Sequence, residues 1–81
     1  MFRTQYIVIQ HDGLWKIKFE GKHYGWYHTQ RDAVREAIKA AHSAGVGGGR
    51  APRVLVQSTI NDQKFYIEWT YGEDPYPPLN S

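Results

Sequence analysis

Eighty-one residues, 41% hydrophobic and 15% aromatic with no cysteine, make one small domain whose core must hold without disulfide staples; thiol catalysis and cysteine-ligated zinc are excluded. Ten Lys and Arg against eight Asp and Glu leave a formal charge of +2, too slight and too interspersed to select an anionic partner by itself. No apolar run approaches the ~20 residues that span a bilayer, and the amino end is too short and too polar after Ile9 for a signal peptide, so a cytoplasmic chain with no membrane partner is expected.

Gln5 to Phe19 reads as a hairpin about His11-Asp12-Gly13. A two-residue Asp-Gly loop would set Ile9 opposite Lys16 and Ile7 opposite Lys18, whereas a three-residue loop sets Ile9 opposite Trp15 and Ile7 opposite Ile17. Keeping core and solvent apart favours the three-residue loop. Ile7, Ile9, Trp15, Ile17 and Phe19 are then expected on the buried face, with Tyr6, Val8, Gln10, Lys16 and Lys18 on the other. Glu20-Gly21 suits a two-residue turn into a third strand, Lys22 to Tyr27, which places Tyr24 and Trp26 on the core face and His23 and Tyr27 outward.

Thr29 to Gly45 is the one run with helical period. Thr29 is placed to accept from the backbone N–H of Asp32 as an N-cap. Ala33, Val34, Ala37, Ile38 and Ala41 form a narrow stripe of mostly small side chains, so the helix supplies close approach and the aromatic residues beneath it supply volume. Gly45 is expected to end the helix, and Gly47-Gly48-Gly49 to keep it from continuing. After a glycine-rich loop, Arg53 to Ser58 and Lys64 to Tyr71 alternate as a second hairpin about Asn61-Asp62, with Val54 opposite Trp69 and Val56 opposite Ile67. Phe65, Ile67 and Trp69 join the expected core, and Leu55, Gln57, Tyr66 and Glu68 face out. The tail has three prolines in its last seven residues and is ordered only if Tyr76 or Leu79 packs.

The expected architecture is α+β: two layers, a five-stranded, largely antiparallel sheet in chain order βββαββ, and one helix on one face. Residues 1–72 form the single domain and 73–81 a proline-rich tail. The strand edges show no evident proline or bulge to protect them, and Trp15, Trp26 and Trp69 are all expected to be buried.

Three segments carry a family resemblance: Asp12-Gly13-Leu14-Trp15-Lys16-Ile17-Lys18, Thr29-Gln30-Arg31-Asp32-Ala33 and Trp69-Thr70-Tyr71-Gly72-Glu73-Asp74-Pro75-Tyr76-Pro77-Pro78. In these the chain resembles the uncharacterised bacterial proteins grouped as domain of unknown function 2188. It departs from them in a longer glycine-rich loop at Gly45 to Arg50 and a tyrosine-rich third strand. The resemblance implies a compact bacterial α+β domain and brings no activity or site residues.

No constellation for catalysis emerges. His11, His23, His28 and His42 share no ligand spacing, and Ser43, Ser58 and Ser81 lie in no nucleophile-elbow context. The glycines at 45 to 49 follow a helix instead of preceding one, the reverse of a phosphate-binding loop. Arg31, Arg35 and Lys39 form a basic ridge laced with Asp32 and Glu36. No catalytic, metal-ligating or cofactor-binding residue is therefore expected, and the chain reads as a non-enzymatic module. Its candidate partner-binding face is the open side of the sheet, with Tyr6, Val8, Lys16, Lys18, His23, Tyr27 and Tyr66. The expected partner is another protein or a second copy in a weak homo-oligomer. The competing reading is nucleic acid, with lysines on phosphates and tyrosines stacked on bases.

Overall fold

A computed structural model describes residues 4–48, 51–61 and 63–78. The elements are β1 (Gln5–His11), β2 (Leu14–Phe19), β3 (Lys22–Tyr27), α1 (Gln30–Gly48), β4 (Arg53–Gln57) and β5 (Phe65–Thr70). They build the expected α+β architecture, a five-stranded sheet in the order β3-β2-β1-β4-β5 with α1 across one face. The sheet is mixed, not largely antiparallel, because β4 runs parallel to β1 at its centre. Two hairpins joined through a helix can meet in this way, since a crossover long enough to contain a helix permits parallel neighbours.

The first turn corrects the expected register. Asp12 and Gly13 both take positive φ, 53° and 78°, the signature of a two-residue type I′ turn whose twist matches the strands it joins. Ile9 therefore pairs with Lys16, Ile7 with Lys18 and Val8 with Ile17. Because side chains alternate across a strand, this one-residue difference moves all of β1 to the opposite face. Tyr6 and Val8 enter the core, and Ile7 and Ile9 face the open side. Tyr6 stacks on Phe19, ring centroids 4.3 Å apart.

Each edge strand contains a bulge. In β3 the pairing passes from Ile17–Tyr24 to Trp15–Tyr27, leaving Gly25 and Trp26 together opposite Lys16. Gly25 supplies the positive φ of 71° that this extra residue needs. The bulge turns Tyr27 toward the helix and Trp26 away from it, the reverse of a regular strand. In β5 the pairing passes from Val54–Trp69 to Leu55–Ile67, so Glu68 is the extra residue, and Val56 pairs with Tyr66 instead of Ile67. Phe65 and Ile67, expected in the core, stand on the open face.

Helix α1 begins as its cap predicts, Asp32 N donating to Thr29 Oγ1 at 3.1 Å. Ala33, Ala37, Ile38 and Ala41 are buried against Tyr6, Val8, Trp15, Val54, Val56 and Trp69. The helix does not stop at Gly45 but runs to Gly48. Gly45 is buried against the ring of Tyr71, and a Cβ there would lie 2.4 Å from a ring carbon. This packing outweighs the weak helical preference of the glycines. Gly49 and Arg50 of the expected loop, Asp62 of the expected turn and Leu79 of the tail lie outside the described residues.

Past β5 the chain folds back onto the helix. Asp74 Oδ2 accepts from Thr70 N at 2.7 Å, the N–H groups of Glu73 and Asp74 both donate to Thr70 O, and Trp69 Nε1 donates to Pro75 O at 2.9 Å. Tyr76 then stacks on His42, centroids 3.7 Å apart and planes 6° from parallel. The Tyr-Gly-x-Asp-Pro stretch is a folding element: its carboxylate ties the turn and its proline carbonyl holds a core tryptophan.

Candidate binding face

Alternation along the observed registers sorts the strand residues onto two faces. Lys16, Lys18 and His23 lie on the open face as expected, joined by Ile7, Ile9, Trp26, Leu55, Phe65 and Ile67. Of the other expected members, Tyr6 and Val8 are core residues. Tyr27 and Tyr66 flank the helix: Tyr27 lines a groove of about 320 Å³ between α1 and β3, and Tyr66 one of about 210 Å³ between α1 and β5. The expected face thus keeps its cations and exchanges its tyrosines for aliphatic side chains, a tryptophan and a phenylalanine.

The resulting surface has two halves. On β2 and β3, Lys16 is only 7% exposed although it points away from the core. Trp26 covers it, with Lys16 Nζ 5.1 Å from the ring centroid, so the ammonium meets the negative face of the indole while its methylenes line the sheet. His11 approaches the same ring, centroids 6.3 Å apart. His23 pairs with Lys18 across the strands and titrates below its ordinary value of 6.5, through lost hydration and then the positive charges of Lys16, Lys18 and His11. On β4 and β5, Leu55, Ile67 and Phe65 form an apolar area bordered by Arg53. Trp26, Ile67 and Phe65 remain 58%, 52% and 45% exposed. Gln57 turns its side chain into the gap where β1 and β4 part, accepting from Gln10 N at 2.7 Å.

On the helix side, the groove beside β5 brings Arg31 and Arg35 near Glu68 and Tyr66 over an apolar floor of Val34 and Ile38. Glu68 is held above the usual carboxylate value, first by burial and then by the charge of Asp74, and Tyr66 is raised by burial and then by Glu68. The basic ridge is paired along the helix as expected, Arg35 with Asp32 at 3.9 Å and Lys39 with Glu36 at 3.7 Å. Among the described residues, no three His, Asp or Glu side chains gather into a metal-holding group, and no helix is long and apolar enough to cross a membrane.

Two signals for the apolar open face were present in the sequence. Asp-Gly between apolar runs favours the two-residue turn, and an isolated glycine inside a strand marks a bulge. The bulge at Glu68 has no such marker. Comparison of the chain with family models, with curated proteins and with solved structures found no match.

Proposed function

We propose that this protein is a small, non-enzymatic binding module that contacts another protein surface, its own or a partner's, through the open face of its sheet. One observation carries the reading. The helix roofs one side of the sheet, while the other side presents Trp26, Phe65 and Ile67 to solvent beside half-buried Ile7, Ile9 and Leu55. An antiparallel or mixed sheet facing only water normally carries polar residues on that side. Exposed apolar and aromatic side chains gathered on one face, with Lys16 and Lys18 among them, are the mark of a contact surface. The absence of cysteine supports a cytoplasmic setting. The resemblance to the bacterial family of domain of unknown function 2188 rests on the three matching segments, of which the turn from Trp69 to Pro78 is the most distinctive.

The test is a photo-crosslinking residue at Phe65, compared with one at Ser43 on the exposed surface of the helix. A discrete product from position 65 that is lost on Ile67→Lys supports the reading. The same products from both positions, or none from either, would overturn it.

Nucleic acid is the competing ligand, and Lys16, Lys18, His23, Arg53 and Trp26 are the groups on the open face that would serve it. Two of the tyrosines expected to stack on bases, Tyr6 and Tyr27, lie on the helix side. Titrating labelled protein with a random single-stranded oligonucleotide at two salt concentrations discriminates, since each phosphate contact adds roughly −0.7 to the log–log salt slope. Shifts confined to these open-face residues and abolished by Lys16→Glu would replace the protein-contact reading.

A further inference from the structure

From the arrangement of the open face, and resting on the reading just given, we infer that its partner is a second copy of the same chain, packed sheet to sheet about a two-fold axis running along β1. Strand β1 is the central strand of the order β3-β2-β1-β4-β5. A two-fold parallel to it therefore lays β3 of one copy over β5 of the other, and β2 over β4.

The registers give the chemistry of each opposition. Ile7, Lys18, His23, Leu55 and Ile67 share one rung across the sheet, and Ile9, Lys16, Trp26, Gln57 and Phe65 the next, because Ile7 pairs with Lys18 and Leu55, and Ile9 with Lys16. The axis brings Ile7 and Ile9 against their own copies and Trp26 against Phe65. Lys18 comes over Leu55, and Lys16 over Gln57. No lysine faces a lysine. Arg53, one rung beyond Leu55, comes level with Glu20 in the β2–β3 turn of the other copy. A two-fold perpendicular to the strands would instead set each copy's Lys16, Lys18 and His23 over the same residues of its mate, a juxtaposition of like charges that disfavours that pairing.

The extent of the face sets the strength. Five strands ~4.8 Å apart and six residues of ~3.3 Å rise give roughly 500 Å² per copy, or about 1,000 Å² in all. That is near the lower bound of about 1,000 Å² for a specific interface. The dimer is therefore reversible and dissociates on dilution. The sheets cross within the ~30° that twisted sheets adopt when they pack face to face.

Sedimentation equilibrium over a broad concentration range, combined with thiol crosslinking, tests the arrangement, and the natural absence of cysteine makes every introduced thiol unique. A monomer–dimer equilibrium is expected, weakened at least tenfold by Phe65→Lys or Trp26→Lys and unchanged by Ile60→Lys in the exposed β4–β5 loop. With a short bifunctional thiol reagent, Ile9→Cys should link to its own copy. His23→Cys and Ile67→Cys should link only when the two variants are mixed, being on opposite flanks of the axis. A dimer in which either of these last variants links to itself, or which Phe65→Lys leaves intact, overturns the geometry. A monomer at every concentration overturns the dimer. If position 65 still crosslinks to a different macromolecule in that case, the binding-module reading survives it; if it does not, both fall.

Discussion

The two faces of the sheet use the same kinds of residue to opposite ends. On the helix side Trp69 is 2% exposed, its indole N–H is satisfied by Pro75, and the alanines of α1 let the backbone layers approach closely. On the open side Trp26 is 58% exposed and packs on a lysine. Hydrophobicity alone therefore does not locate the core. What locates it is the geometry of two turns and two bulges, which decide the face each side chain meets.

The sharpest way to break this contrast is to truncate the two tryptophans separately. Trp69→Ala should cost about 3–5 kcal/mol, comparable with the whole stability of so small a domain, whereas Trp26→Ala should cost about 1 kcal/mol or less. Urea denaturation followed by circular dichroism reads both, and equal losses would remove the distinction between the faces. A second pair probes the end of α1. Gly45→Ala forces a methyl into the Tyr71 ring and should destabilise by about 1–3 kcal/mol. Gly47→Ala meets nothing within 4 Å and should stabilise by up to about 1 kcal/mol. Thermal melts that move the two variants in the same direction would contradict the packing of the helix end.

Thr29→Ala removes the cap shared with Asp32 and should cost about 1 kcal/mol, measurable as a shift in urea midpoint. The smallest expected effect lies in the groove beside β5. The folded-state value of Glu68 lies above its ordinary value of 4.5, so the native state holds the proton more tightly than the unfolded chain does. Its contribution to stability is present below 4.5 and is lost as pH rises through the higher folded value. Glu68→Gln should remove that dependence, so the wild type loses stability relative to the variant as pH rises from acid toward neutral. Parallel stability–pH curves for the two proteins would overturn this assignment.

How much of this was legible in the sequence differs strand by strand. In β2 the lysines at 16 and 18 alternate with Trp15, Ile17 and Phe19, so the core face is unambiguous. In β1, Tyr6 and Val8 alternate with Ile7 and Ile9, and a period-two pattern with apolar residues on both phases says nothing about direction. The turn decides, and the preference of Asp-Gly for a two-residue loop prevails over the separation of lysine from isoleucine. The open face differs from its expected composition for the same reason: Lys16, Lys18 and His23 follow from the patterns of β2 and β3, while Tyr6, Val8, Tyr27 and Tyr66 depend on registers that a turn and two bulges displace. The helix start was legible because a single side-chain hydrogen bond fixes it. Its end was not, because what holds Gly45 is a ring 26 residues farther along the chain.

The bulges at Gly25-Trp26 and at Glu68 have a consequence for how far assembly can go. Each lies in an outermost strand and interrupts the row of backbone donors and acceptors that a neighbouring chain would need to add itself as a sixth strand. Growth in the plane of the sheet is disfavoured at both ends. The open face lies parallel to that plane, and in the dimer proposed above one copy of the same face covers it. In that dimer, association through the face closes at two molecules.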